Sequence, residues 1–413
     1  MTGEILFLAH RMPFPPNRGD KIRSFHVLHR LAQLAPVHVA TFADDADDLA
    51  EEPALAAVAA SHCLVRRRKP LVLAGVEAVL TGVPVSLAAF ADRQLADYVA
   101  RTLAQRHIAA IYVFSGQMGQ YVPRSFAGRV IADFVDVDSA KFDAYAKVGS
   151  GPRAWIDARE GRVLRAEEAR LAQRADVSLL ISQPEAELFV QRLDPALRQS
   201  CTVQVLGNGI DTATFDPAAV QPEAQMLALP GPRLIFTGQM DYAPNAAAVI
   251  RTAERLLPSI RDRFPGATLH IVGRNPGAAV QALANRPGCH VWGGVPDMRT
   301  WLAAADLAIV PLDIARGVQN KVLEAMAMAR AVVLTSGAAT GIAANTDEHF
   351  VIADDDAALV QAVVALCSDP ARARAIGLAA RRHVTKTLSW PAALAPLDAM
   401  LAAAPNTVGR DAA

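Results

Sequence analysis

Cysteine is scarce: Cys63, Cys201, Cys289 and Cys367 are scattered along 413 residues with no C-x-x-C pair and no metal-ligand spacing. Such a pattern excludes a disulfide framework and makes a zinc site unexpected; it suits reduced thiols in a cytoplasm. Net charge is missing as well. Lys plus Arg and Asp plus Glu balance at 41 each, so no global field points to nucleic acid. Long apolar runs are lacking too. The start, Met1-Thr-Gly-Glu-Ile-Leu-Phe-Leu-Ala9, has no basic n-region and too short an apolar stretch for a signal peptide, so a cytoplasmic protein is expected. The nearest approach to a membrane span, Leu71–Phe90, is interrupted by Glu77, Gly82 and Pro84 and reads as two short helices around a turn.

What is present is a repeated α/β grammar. At this length two domains of about 200 residues are expected, and short apolar strands alternate with helices in both halves. The first half reads Ile5–Ala9, Val37–Phe42, Cys63–Val65, Ile108–Phe114, Val130–Val135, Val177–Ser182 and Thr202–Val205 as strands. The Pro-containing stretch 216–232 has weak periodicity and reads as an interdomain linker. The second half then restarts with strands at 233–237, 267–272, 289–292, 307–312, 332–334 and 350–352. Most of these end in Gly, Asn, Asp or Arg, which collects small and polar groups at the carboxyl edge of a parallel sheet, where open α/β sheets bind ligands.

The stretch Gly317-Val-Gln-Asn-Lys-Val-Leu-Glu-Ala-Met-Ala-Met328 lies between two of those strands and predicts a helix opening at that edge. Val322, Ala325, Met326 and Ala329 would face the sheet, with Gly317, Lys321, Glu324 and Met328 on another side. The helix start favours an anion such as a diphosphate. Lys321 could add charge to a phosphate, and Glu324 could accept from sugar hydroxyls; an exposed i,i+3 ion pair explains the two residues equally well.

In the first half, the loop His10–Asp20 is rich in Pro and basic residues and serves a site in the same way, with His10, Arg18, Lys21 and Arg23 over the edge and Asp20 as a helix cap. Gly19 would allow close backbone approach. Asp136 and Asp138 end a strand, Asp136 read as a site residue and Asp138 as a cap, while Asp133 faces the opposite side. Arg66-Arg-Arg-Lys69 beside the apolar pieces of 71–90 is either a solvated basic end or a surface that docks on an anionic membrane face.

Several motifs taken together resemble the retaining family-4 glycosyltransferases of GT-B fold: Leu206-Gly-Asn-Gly-Ile-Asp211, Thr237-Gly238, Ile271-Val-Gly-Arg274, Trp292-Gly-Gly-Val-Pro-Asp297, Ala305–Leu312 and Lys321-Val-Leu-Glu-Ala-Met326. The variants Asp136-Val-Asp-Ser139, Asp241-Tyr-Ala-Pro-Asn245 and Gly317–Lys321, with Arg18–Arg23, are similar to the exosortase-associated sugar transferases of the PEP-CTERM system. The resemblance implies two Rossmann-like, doubly wound domains facing a central cleft. An acceptor domain would span 1–210, a nucleotide-sugar domain 211–389, and a final helix at 390–403 would pack back on the first.

It further implies transfer of a sugar from a nucleotide-diphosphate sugar to a saccharide or lipid-linked acceptor with retention, in exopolysaccharide or cell-surface glycan synthesis. No metal or cofactor is implied. Peripheral contact with an anionic inner membrane is an expectation, and binding of nucleic acid is not. Donor contacts fall on Gly19, Gly238, Arg274, Val295, Arg316, Gly317, Asn320, Lys321 and Glu324, and catalytic roles on Asp136, Lys321 and Glu324. Arg316 stands where the family carries a carboxylate, and Asp136 where it commonly carries a histidine. A sugar-nucleotide epimerase of the same fold, or a non-catalytic subunit that binds sugar nucleotides, remains open.

Overall fold

The computed structural model describes residues 3–313 and 318–405. The chain divides into two compact units, one formed by Met1–Asn208 with Leu394–Ala413 and the other by Gly209–Ala393. Each is a parallel sheet with helices between its strands.

In the first unit, strands β1 (Glu4–Ala9), β2 (Val37–Ala43), β3 (Ser61–Arg66), β4 (Ile108–Phe114), β5 (Arg129–Val135), β6 (Val177–Leu180) and β7 (Val203–Val205) lie in the order β3-β2-β1-β4-β5-β6-β7. The central strands are apolar almost throughout because helices cover both faces: Ile5 to Ala9 and Ala110 to Val113 are fully buried. The second unit has β8 (Arg233–Thr237), β9 (Thr268–Val272), β10 (Cys289–Gly293), β11 (Leu307–Val310), β12 (Ala331–Leu334) and β13 (Val351–Ile352), ordered β10-β9-β8-β11-β12-β13. In both sheets the order reverses beside the first strand, between β1 and β4 and between β8 and β11. The loops leaving the carboxyl ends of those pairs diverge there and open a crevice.

Local chemistry adjusts several expected boundaries. Residues 46–58 form two helices, Ala46–Ala50 and Glu52–Val58, joined at Glu51. Asp92 accepts from the amides of Gln94 and Leu95 and starts the helix Arg93–Gln105. The stretch 216–232 is no linker. It holds the short helix Ala224–Leu227, whose Met226 is fully buried in the core of the second unit. The terminal helical stretch divides into Trp390–Leu394 and Pro396–Ala402, and Arg30 grips Asp398 of the latter.

Two basic residues expected at the ligand edge are instead structural. Arg23, 1% exposed, gives Nε and Nη2 to the two oxygens of Asp133 at 3.0 and 3.1 Å, and Tyr112 donates its hydroxyl to the same carboxylate at 2.7 Å. Lys21 is buried against Asp48 and donates to the Phe14 carbonyl. The odd spacing that turned Asp133 away from Asp136 is what sends it inward to Arg23.

Candidate functional site

The crevice of the second unit is a cavity of about 520 Å³ lined by Gly238, Arg274, Val295, Asn320, Lys321 and Glu324 among others. Three strand ends and one helix bring them together. β8 runs into Gly238 and β9 into Gly273 and Arg274. These two turns approach so closely that a Cβ on Gly273 would fall 1.6 Å from the Gly238 carbonyl oxygen, which is why only glycine fits. A Cβ on Gly238 would meet the Asn245 amide nitrogen at 2.9 Å and Lys321 Cε at 3.3 Å. Gly273 N–H donates to the Gly293 carbonyl, so the turn after β10, with Gly294 and Val295, joins the same wall.

The fourth wall is the Asn320–Ala327 helix. Val322, Leu323, Ala325, Met326 and Ala327 are buried in the core, which leaves Lys321 and Glu324 on the cavity side, both half-buried. The helix ends sooner than its periodicity suggests. Met328 is its C-cap and fully buried, so it does not share the face of Lys321 and Glu324, and Ala329 turns out of the helix at φ 53°. The N-cap, Gln319, makes no side-chain cap bond to the first-turn amides among the described residues, and a helix start favours an anion.

Lys321 is held rather than free. Its ammonium donates to Asn245 Oδ1 at 2.7 Å and to Gln319 Oε1 at 3.4 Å, and it lies 5.2 Å from the centre of the Phe236 ring. Burial lowers its pKa to about 8, with the charge of Glu324 opposing. Burial pushes the Glu324 carboxyl up to about 7, and here the charge of Lys321 opposes. The pair sits half-desolvated at the floor of a cavity, where an incoming diphosphate and sugar hydroxyls would find a cation and an acceptor only partly hydrated. Both side chains are half-buried, unlike those of an exposed surface pair.

Asn245 is the residue that sequence reasoning overlooked. It reads as an ordinary position in a helix start, yet it is buried in the first turn of Ala243–Arg251, where its amide donates to the Gln239 carbonyl and its oxygen holds Lys321. A polar residue there followed by an apolar helix was the available signal. Arg316 and Gly317 lie outside the described residues.

The crevice of the first unit is separate, about 400 Å³, and lined by His10, Arg11, Arg18, Asp20, Ser115, Asp136, Asp138 and Lys141 among others. Lys141 joins Asp136 at 2.9 Å and Asp138 at 3.0 Å. Burial opposes its charge, but the two carboxylates prevail and raise its pKa. Asp138 is therefore an ion-pair partner in the first helical turn and not the cap, which is Val137. Asp20 is likewise no cap: it is shared by Arg11, Arg18 and His10, and the resulting hydrogen bonds outweigh its burial and hold its pKa far below the ordinary value. His10 Nδ1 is buried with no hydrogen-bond partner among the described residues. Ser115 (φ 77°) and Val135 (φ 68°) stand in left-handed conformations at the ends of β4 and β5, a cost that side chains other than glycine bear chiefly where a site demands it. Gly19 begins its helix with open space around it, so packing does not require glycine there. Among the described residues no group of three or more His, Cys, Asp or Glu is placed to hold a metal ion, and no helix is long and apolar enough to cross a membrane.

Two parallel sheets of this topology, each with a polar crevice at its switch point, make two Rossmann-like, doubly wound domains. Residues 231–369 match the family described as glycosyl transferases group 1. The chain is 29% identical over 246 residues to the alpha-maltose-1-phosphate synthase of Mycolicibacterium smegmatis, covering 54% of this chain and 62% of that protein. With the Mycobacterium tuberculosis protein of the same name it is 30% identical over 219 residues, covering 48% and 54%. The match thus spans little more than half the length of these relatives. Among solved structures, the sucrose-phosphate synthase of Thermosynechococcus elongatus superposes with a TM-score of 0.59 at 17% identity, covering 96% of this chain and 98% of that one. Anabaena HepE in complex with UDP gives 0.63 at 14% identity, covering 96% and 99%. These likenesses show two Rossmann-like domains of GT-B fold.

Proposed function

We propose that the chain is a retaining glycosyltransferase that moves a hexosyl group from a nucleotide-diphosphate sugar to a saccharide or lipid-linked acceptor. The observation that carries this reading is the half-buried Lys321–Glu324 pair at the open start of a helix, inside a cavity walled by glycine turns. Lys321, Arg274 and the first-turn amides neutralise the leaving diphosphate; Glu324 accepts from hydroxyls of the ribose or sugar. The bond from the anomeric carbon to the diphosphate breaks as the acceptor oxygen bonds the same face, and the acceptor proton passes to the departing phosphate oxygen. Val295 lies against the base, and Asn320 and Gly238 border the phosphates. Asp136, in the crevice of the first unit, orients the acceptor. The reading assigns no metal.

Support for the donor class comes from two directions: the relatives are named as a synthase of a sugar phosphate, and HepE has been solved with UDP-glucose. A place in exopolysaccharide or cell-surface glycan synthesis, within the exosortase-associated subgroup, is the finer part of the proposal and rests on the 18–23, 136–139, 241–245 and 317–321 motifs. Thermal shift against a panel of nucleotide sugars identifies the donor, because binding to the folded state raises its melting temperature. Transfer is then measured with that donor. A Glu324→Ala variant that transfers sugar at the parent rate would overturn the site, and conversion of donor alone to an epimer would overturn the reaction.

A further inference from the structure

The Leu71–Thr81 helix is built inside out. Its buried residues are the small ones, Ala74 and Ala78, while Leu71, Val72, Leu73, Val76, Val79 and Leu80 are 55–81% exposed. A helix packed on a soluble domain normally turns its large apolar side chains inward, and a contiguous exposed apolar face of this kind marks a surface with a partner. The one carboxylate in the helix, Glu77, is neutralised by Lys69 at 2.9 Å, and Lys69 also donates to the Ala88 carbonyl. The face therefore carries no unbalanced negative charge.

Immediately before the helix, the chain leaves β3 through Arg66-Arg-Arg-Lys69, which lines a polar cavity of about 390 Å³. Arg67 is committed to Asp44 and to the face of Phe90. Arg66 and Arg68 are exposed and make no ion pair among the described residues. Alongside the helix, Arg159 donates to the carbonyls of Ala78 and Val83, and Trp155, one turn earlier on the same helical face, is 64% exposed.

We propose that this surface docks on an anionic lipid bilayer, with the helix lying in the interface and Arg66 and Arg68 over phosphate-bearing headgroups. At 11 residues the helix is roughly 16 Å long, about half of a hydrocarbon core, so it lies on the membrane and does not cross it. Apolar side chains beside unpaired arginines are what such a surface attracts. Two copies of this chain meeting through the same face would instead bring like-charged runs into one interface. The proposal is independent of the donor cavity, which lies in the other unit.

The test is co-flotation of the full chain with vesicles of phosphatidylglycerol and phosphatidylethanolamine, against phosphatidylcholine alone, at low and high salt. The expected result is recovery with the anionic vesicles only, weakened by salt, with a blue shift of Trp155 emission that a Trp155→Phe variant lacks. Val72→Glu with Leu80→Glu, both at outward positions, lowers recovery about tenfold or more, as does Arg66→Ser with Arg68→Ser, while nucleoside-diphosphate binding and melting temperature stay at the parent values. Failure of the parent to float, equal binding to phosphatidylcholine, or variants that float like the parent would each overturn the proposal. So would self-association in ultracentrifugation that the Val72→Glu, Leu80→Glu variant abolishes, which would make a second copy the occupant.

Discussion

Asn245 holds Lys321: the amide oxygen accepts from the ammonium at 2.7 Å, while the amide nitrogen, bonded to the Gln239 carbonyl at 2.8 Å, fixes which way the side chain faces. Asn245→Ala therefore removes two bonds and leaves a half-buried ammonium with a weaker partner. Loss of a buried hydrogen-bond partner costs about 1–3 kcal/mol. Affinity for a nucleoside diphosphate should fall about tenfold by calorimetry, with kcat less affected than KM; unchanged affinity would remove Asn245 from the donor site.

Lys321→Ala removes the charge itself. Charge-assisted hydrogen bonds contribute about 1.5–3 kcal/mol, so diphosphate affinity should fall on the order of 10- to 100-fold. Lys321→Arg should recover part of it. A nucleoside without phosphates should bind the parent and Lys321→Ala alike, and equal weakening of both would mean that the variant is merely damaged.

The pKa shifts fix the sign of a pH effect. Glu324 stands at about 7 against an ordinary 4.5, so between those values the folded chain binds more protons than the unfolded one, and stability is lost as pH rises through 7. Lys321 stands at about 8 against 10.5, so stability climbs again as pH rises from 8 to 10.5. Glu324→Gln should therefore stabilise the unliganded chain at pH 8 by on the order of 1 kcal/mol, with little gain at pH 5. The same variant should bind donor sugar more weakly. Melting temperatures at the two pH values check it; an equal shift at both would refute the assigned origin.

Gly238→Ala places a methyl 2.9 Å from Asn245 Nδ2 and 3.3 Å from Lys321 Cε, at φ 150°. The clash pushes apart the two residues that position the charge, so the expected loss is in donor affinity, by about tenfold, with a stability cost of about 1–2 kcal/mol. Denaturant melts and diphosphate titration on one preparation separate the two effects.

Arg23→Met leaves Asp133 and Tyr112 buried without their cation. Breaking a buried pair at one end costs about 3–5 kcal/mol, which should appear as a lowered urea midpoint. Since Arg23 lines neither cavity, the diphosphate affinity of the folded fraction should not change.

Much of this molecule was legible from its residues because strand and helix periodicity are local. Continuous apolar runs at 5–9, 108–114 and 234–236 read as strands covered on both faces, and their alternation with helices implies parallel sheets with ligands at the carboxyl edge. That reasoning placed Lys321 and Glu324 on the same side of one helix and Gly238, Arg274 and Val295 on neighbouring strand ends. Which of them are close enough to act on each other depends on packing between segments far apart in sequence. Asn245 and Lys321, 76 positions apart, meet beside Gly238, where a Cβ would crowd both.

Arg23 and Lys21 show the opposite case. Their place in the sequence marks them as charged residues at a site edge, but a charge is drawn to whichever opposite charge the fold brings near. Asp133 and Asp48 were nearer than any ligand. The Leu71–Phe90 stretch was legible as two helices around a turn, since Gly82 and Pro84 punctuate it locally, and Leu71–Thr81 is the first of them. That its large side chains face outward was not, because small residues at i and i+4 fit the body closely only once the β3 edge and the 151–174 helix are in place. Local patterning thus decided the elements, their order and the edge where chemistry gathers; tertiary packing decided which charges are buried against each other and which remain available to a ligand.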